Sequence, residues 1–377
     1  MLRAHPAARQ AEALDAAATA ERRAGRLLPD PVAGFAWDRA APLGGPSGRE
    51  REWSMSQTVP WPGTFSAGVR AADRQADVSR AEAEAVRWDL EVEARGSFAR
   101  LVHARAVVAI AAAAEADARA LRDLAATRAE LGEAREADRL KAEIEWLRER
   151  QALRAAERET ESAEAVVRAL AVEPLPRPLA VKAGTPEFVP AMEPAELSDR
   201  LERLNPAVKA ARAAAGREAA LASAARRGRI PDLDVTVFRS EELDKTATGF
   251  QVAVKVPLWN ANRGAIARAE AAAALVSAAA RRKLLELAAE LERTRQALDV
   301  AAAHVESLER EVLPAATRSL ELSRLSYGEG ETSLLDLLDA QRTFRETQRE
   351  AATARLSLTL ALGELQRLVG PGFRPWR

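Results

Sequence analysis

The sequence predicts a mainly α-helical protein with a smaller β part, built as a short helix, a β-hairpin, a long helix and a medium helix, followed by the same four elements again. Three observations carry this. The 377 residues are dominated by Ala, Glu, Arg and Leu in long runs without Gly or Pro, the composition of long helices packed in coiled-coil fashion. There are two pairs of short extended segments, and three of the four alternate apolar and polar residues with period two, the mark of strands with one apolar face. The order and spacing of these pieces in the first half recur in the second within a few residues, which reads as a duplication.

The first repeat takes residues 1–172. A helix over 7–27, with Pro6 tolerated in its first turn, stops at Leu28-Pro-Asp-Pro31. Strands at 32–39 and 51–60 form a hairpin; in the second, Trp53, Met55, Gln57 and Val59 alternate with Ser54, Ser56 and Thr58. Pro60-Trp-Pro-Gly63 ends it. The helix predicted over 65–131 amounts to on the order of 100 Å at about 1.5 Å per residue. Gly132 breaks it, and a helix over 137–172 completes the unit. Pro174, Pro176, Pro178, Pro186 and Pro190 make 173–204 a linker or equatorial region with room for one short strand.

The second repeat spans 205–370, with helices at 206–228, 263–326 and 332–369, strands at 232–240 and 248–258, and a tail at 371–377. Asn205-Pro206-Ala207 answers His5-Pro6-Ala7, Ile230-Pro-Asp232 answers Leu28-Pro-Asp30, and Val256-Pro257-Leu258-Trp259 answers Val59-Pro60-Trp61. Pro314 inside the long helix predicts a kink. Two Gly residues interrupt continuous helical patterning within Tyr327–Arg342, so this stretch is the tip of a helical hairpin. Thr332 and Ser333 offer N-cap oxygens for the following helix, and Gly328 or Gly330 a positive-φ end for the preceding one. Leu334, Leu337 and Leu338 open an apolar stripe that Leu358, Leu362, Leu365 and Val369 continue. Asp336 and Asp339 share a face. Gly132 to Asp138 repeats the spacing of Gly330 to Asp336.

Composition narrows the function. Lys+Arg and Asp+Glu both number 56, and no basic cluster with interleaved aromatics appears, so a nucleic-acid binder is excluded. Without Cys there is no disulfide, thiolate metal site, thiol nucleophile or lipid acceptor. His5, His103 and His304 lie far apart without carboxylate companions at ligand spacing, so no metal site is expected. No nucleophile motif or phosphate-binding Gly loop appears; the chain reads as no enzyme and calls for no cofactor. No run of about 18 consecutive apolar residues marks a transmembrane helix, whereas a membrane barrel remains open.

Four strands, each with one apolar face, do not close a barrel, and an open sheet in lipid leaves backbone groups that no water satisfies. If the hairpins sit in a membrane, several copies share one barrel; a trimer gives twelve strands, an even number in the range of outer-membrane barrels. Three chains then bring the carboxylates of Asp336 and Asp339 into a narrow neck, and such a single-sign ring selects cations. The alternative for these two residues is the favourable effect of acids at a helix N-terminus. Trp37, Trp53, Trp61 and Trp259 suit an interfacial girdle, or equally a protein core.

Over nearly its whole length the chain resembles the TolC family of outer-membrane efflux channels. The residues that carry this are Val312-Leu-Pro314, Tyr327, Gly330 and Ser333-Leu-Leu-Asp-Leu-Leu-Asp-Ala-Gln341, then Val254-Lys-Val-Pro-Leu-Trp259 with Asn262-Arg-Gly264. Gln57-Thr-Val-Pro60 with Gly63, and Asn205-Pro-Ala207, add weaker matches. The resemblance implies a homotrimer in the outer-membrane lipid, with a twelve-stranded β-barrel continued by a long periplasmic α-helical barrel. It would be a passive exit duct joined by a periplasmic adaptor (membrane fusion) protein to an inner-membrane transporter of the resistance-nodulation-division type. Asp336, Asp339, Asp138 and Tyr327 match the periplasmic gate, and Gly132, Gly330 and Thr332 the tips where adaptors dock. Better-known members carry an Arg where this chain has Thr332, so the usual Arg–Asp lock is missing; Arg135 or Arg139 would have to replace it.

Ser56-Gln-Thr-Val-Pro-Trp-Pro-Gly63 resembles the heavy-metal efflux branch, so metal cations or small toxic compounds are the expected cargo. Met1-Leu-Arg-Ala-His-Pro6 shows no signal sequence, and the expectation is that the start shown is internal to a longer protein. The competing reading is a periplasmic adaptor or another helical-hairpin protein that forms no pore, but an adaptor would show one helical hairpin beside a compact β-domain.

Overall fold

The computed structural model describes residues 4–40, 47–172, 175–176, 179, 193–256 and 261–373, without the side chain of Ala40. Pro257-Leu258-Trp259, most of the Pro-rich segment and the tail from 374 lie outside the described residues. The elements run α1 (Pro6–Ala24), β1 (Val32–Ala40), β2 (Gly48–Val59), α2 (Pro62–Glu130), α3 (Glu136–Ala171), α4 (Pro194–Leu204), α5 (Pro206–Arg227), β3 (Leu233–Glu241), β4 (Thr246–Val254), α6 (Arg263–Ser307), α7 (Leu313–Glu329) and α8 (Leu334–Val369). A π-helical turn, Leu308–Val312, joins α6 to α7, and Pro314 is the second residue of α7. Pro314 has no N–H to give to the preceding turn, and the wider π turn is one way a helix absorbs such a break. Helix α4 occupies the last part of the segment expected to be a linker over 173–204; it carries Leu197 and Leu201 on one buried face.

The chain folds as two compact units that cut across the repeat. One takes residues 11–85 and 206–284, the other 1–10, 86–205 and 285–377. Each thus draws on both copies of the duplicated element set.

In the first unit all four strands form one antiparallel sheet in the order β1-β2-β3-β4. The two hairpins meet through β2 and β3, with Val59 opposite Leu233 and Met55 opposite Val237. Helix α1 ends against the start of α2: Arg22 reaches Asp77 at 2.8 Å and Arg26 reaches Asp73 at 3.1 Å. Gly25 is required there, because a Cβ on it would fall 2.3 Å from that of Ala72.

The second unit is helical. In α2, Leu101, Ala104, Ala111, Ala114, Ala118, Leu121 and Ala125 are buried at intervals of three, four and seven, the seam of a helix packed on helices. The same Ala-rich stretch makes α2 apolar enough by composition to cross a membrane, although no run of 18 consecutive apolar residues exists. Its seam faces protein. On α8 the stripe Leu334, Leu337, Leu338, Leu358, Leu362, Leu365 and Val369 is buried throughout. Helix α4 packs on α8, where the Asn205 amide donates to the last-turn carbonyls of Leu368 (2.8 Å) and Arg367 (3.3 Å).

Candidate functional site

Two regions concentrate functional features, one in each unit. The first is the sheet. Directly opposed residues of an antiparallel sheet share a face, so the pairing register sorts every side chain. One face carries Phe35, Trp37, Trp53, Met55, Val59, Val237, Phe250, Val252 and Val254, and it is unpacked: Phe250 is 77% exposed and Trp37 63%. Phe35 and Trp53 pack against each other with ring centroids 4.4 Å apart. Trp61 is exposed as well. The other face is polar, with the Ser56 and Thr236 hydroxyls 2.7 Å apart and Thr58 donating to Asp234 at 2.6 Å. This polar face holds Asp38, Glu50, Glu52 and Asp234 and, among the described strand residues, no Lys or Arg. The outer edges of β1 and β4 pair with no strand among the described residues.

The second region is the pair of helical tips. At α7–α8, Gly330 takes φ 80° and ends α7, while the N–H of Glu331 donates to the carbonyl of Ser326 at 2.8 Å. At α2–α3, Gly132 takes φ 76° and the N–H of Glu133 reaches Arg128 in the same way, also at 2.8 Å. The two turns therefore close alike, as helix ends with a left-handed Gly do. Their caps differ. Ser333 and Asp336 form a capping box: the Asp336 N–H donates to the Ser333 Oγ at 3.3 Å, and the Ser333 N–H donates to the Asp336 carboxylate at 3.1 Å. Arg135 stands at the equivalent position before α3 and gives no side-chain cap.

The hydrogen bond from the Ser333 hydroxyl, followed by that from its backbone N–H, holds the Asp336 carboxyl below its ordinary value. The capping contribution is therefore complete above the ordinary Asp value of about 3.9 and is lost as pH falls through the lower folded value. S333A is expected to destabilise the start of α8 by about 1 kcal/mol, read as faster amide exchange in its first turn.

The remaining residues singled out in the sequence sit as follows. Asp339 is exposed one turn beyond Asp336. Asp138 pairs with Lys141 at 3.4 Å. Tyr327 packs on a cluster of Leu121, Ala125, Ala142, Leu320, Leu334, Leu337 and Leu338, and Arg128, not Asp138, lies over its ring at 5.1 Å. Arg139 is held on its own helix by Glu136 and Glu143, and the hydrogen bonds it donates to the Glu136 carboxylate raise its pKa further. The Thr332 hydroxyl is buried with no hydrogen-bond partner among the described residues. Beside the tips, α7 bears a shallow groove of about 530 Å³ edged by Pro314, Arg318 and the exposed Leu322 and Leu325.

Sequence reading missed the cluster beneath the tips. Glu145 on α3 is buried and takes bonds from Arg342 (2.6 Å) and Arg345 (2.7 Å) of α8, while Glu149 lies 3.4 Å from Arg345 and 3.6 Å from Arg349. Burial pushes the Glu145 carboxyl up, but the hydrogen bonds from Arg342 and Arg345 outweigh it and leave it below the ordinary value. The available signal was acids on α3 and arginines on α8 at helical spacing, which an exposed helix face shows equally.

Residues 197–371 match the model of the outer membrane efflux protein family. The chain is 27% identical over 283 residues to the cobalt-zinc-cadmium resistance protein CzcC of Cupriavidus metallidurans, covering 74% of this chain and 68% of that one. The structure is similar to that of CusC, with a TM-score of 0.83 at 16% identity over 97% of this chain and 89% of that one. It is also similar to the outer membrane protein VceC of Vibrio cholerae, with a TM-score of 0.81 at 17% identity over 99% and 95%. Those two likenesses extend the fold over the first repeat, which the family model does not reach. With the tips, the duplicated element order and the two-faced sheet all in place, residues 197–371 match the outer membrane efflux protein family and the chain as a whole has the fold of its channels.

Proposed function

We propose that three copies of this chain close one outer-membrane β-barrel and form the exit duct of a tripartite efflux system for metal cations. The observation that carries this is the sheet: among the described residues, four strands whose two outer edges pair with no strand, an exposed aromatic and aliphatic face, and a polar face whose strand residues include acids but no Lys or Arg. Edge-to-edge pairing of three copies satisfies the backbone groups that lipid leaves unpaired, and it turns the apolar face to lipid and the polar face to the lumen. Rings of Asp38, Glu50, Glu52 and Asp234 would favour cations in that lumen. A relative named for cobalt, zinc and cadmium resistance supports the same cargo class.

At the tips, Asp336 and Asp339 would ring the periplasmic entrance, with Asp138 and Tyr327 in the contacts that hold it shut. Thr332 offers no guanidinium for a lock, and Arg128 over Tyr327 is the nearest substitute. Gly132, Gly330 and Thr332, with the exposed Leu322 and Leu325 beside them, would receive a periplasmic adaptor that links the duct to an inner-membrane pump of the resistance-nodulation-division type.

Planar-bilayer recording tests the reading. The purified chain is expected to form cation-selective channels, and E50Q/E52Q to reduce the cation-over-anion permeability ratio severalfold without loss of conductance. A protein that makes no channels and stays soluble without detergent would sink the pore and favour the adaptor-like alternative.

A further inference from the structure

We propose that Arg39, Arg49 and Arg51, at the loop end of the apolar sheet face, bind the phosphates of lipid A, the glycolipid of the outer leaflet. This rests on the membrane-barrel reading above. The register places all three on the apolar face: Arg39 is directly opposite Arg49, and Arg51 opposite Trp37. All three are exposed, and no ion pair reaches any of them among the described residues. The intervening residues 41–46, Ala-Pro-Leu-Gly-Gly-Pro, bring no acid. Like charges directly across a strand pair repel, so Arg39 facing Arg49 is an unfavourable choice that a shared anion would reverse.

The carboxylates nearest in sequence do not answer them. Asp38, Glu50 and Glu52 alternate with these arginines and therefore lie on the opposite face. On β3, Glu241 lies directly opposite Arg51 on the same face but ion-pairs with Arg239 of its own strand at 3.6 Å, and in the β3–β4 loop Glu242 pairs with Lys245 at 3.1 Å. Among the described strand residues this face therefore sets four arginines against one carboxylate, and Arg39 and Arg49 face no acid at all.

Position supplies the identity of the anion. From Val59 to Trp53 the apolar face of β2 covers about 20 Å at roughly 3.4 Å per residue, close to the height of a lipid-facing band. The arginines begin where that band ends, on the side away from the helices. If the helices are periplasmic, this side meets the outer leaflet, whose glycolipid carries phosphates at the depth where acyl chains give way to headgroup. Guanidinium forks match phosphate oxygens two at a time, and Trp37 beside Arg51 suits the same boundary.

The test uses the full chain in detergent, exchanged against lipid A, enzymatically dephosphorylated lipid A or phosphatidylglycerol, with retained lipid counted by mass spectrometry. The expected result is roughly tenfold better retention of phosphorylated than of dephosphorylated lipid A, a gap that R39Q/R49Q/R51Q closes. Equal retention of the two lipids by the unaltered protein overturns the proposal without recourse to a variant. An undiminished gap in the triple variant also overturns it, and phosphatidylglycerol held as tightly as lipid A overturns the glycolipid assignment. Bilayer conductance separates the two readings: a protein that conducts but shows no phosphate preference loses this inference alone, whereas one that neither inserts nor conducts loses the barrel as well.

Discussion

Glu145→Ala is expected to destabilise the helical unit by about 3–5 kcal/mol, a lowering of the melting temperature on the order of 5 °C or more. The cost arises from what is left behind. The Arg345 side chain is 8% exposed and that of Glu145 4%. One Arg345 nitrogen, Nη2, serves both Glu145 and Glu149, and the other, Nη1, has no hydrogen-bond partner. Removing Glu145 leaves a buried guanidinium with Glu149 alone. Arg342 is half exposed and can turn to water, so R342A should cost under about 1 kcal/mol. The pair E145L/R345M, which removes both charges, should recover most of the loss. Because the folded Glu145 value is lowered, its contribution is complete above the ordinary Glu value of about 4.3 and disappears as pH falls through the folded value. Circular-dichroism melts across that range should show a stability loss in the native chain that E145A lacks. A variant that melts with the native protein at neutral pH would show that these five residues do not clasp α3 to α8.

Gly370→Ala is the second large effect, expected at roughly 2–5 kcal/mol from backbone strain and collision together. Gly370 ends α8 at φ 82° and ψ −177°, a region essentially closed to residues with a side chain. A Cβ there would stand 2.8 Å from the backbone carbon and oxygen of Leu204 and 3.1 Å from the Asn205 nitrogen. Backbone on the far side cannot swing away as a flexible side chain would, so α4 has to leave α8. Early cleavage within α4 during limited proteolysis, together with a lower melting temperature, reports this. Gly330 is the control: its φ is similarly positive, but nothing lies within 4 Å, so G330A should cost only about 1 kcal/mol.

The contrast between those two glycines also shows what a sequence conveys. Gly330 is legible because it interrupts helical periodicity just before a Ser-x-x-Asp cap, all of it local. Gly370 owes its role to Leu204, distant in the chain, and nothing near it announces the contact. The strands divide in the same way. Alternation marks β2, β3 and β4 one at a time and assigns each its apolar face, but the β2–β3 pairing that joins the hairpins is a long-range choice. The buried carboxylate of Glu145 was hidden by abundance: acids and arginines at helical spacing occur along most helices here, and only packing distinguishes a clasp from a solvated pair. Helix α4 was obscured by the prolines before it, although Pro194 sits at a helix start, where proline is tolerated.

The π-helical turn has a consequence for the duplication itself. Before it, the buried positions of the two long helices correspond at one constant interval: Leu90 with Leu287, Ser97 with Thr294, Leu101 with Leu298, Ala111 with Leu308. Beyond it the interval is one residue longer, Ala118 with Ala316 and Gly132 with Gly330. In a regular helix one additional residue turns every later side chain by about 100° and would swing the seam leading to the second tip away from its neighbours. Leu308–Val312 absorbs that residue as a single wide turn, so the two copies keep their phase and differ in sequence length without differing in which side faces inward.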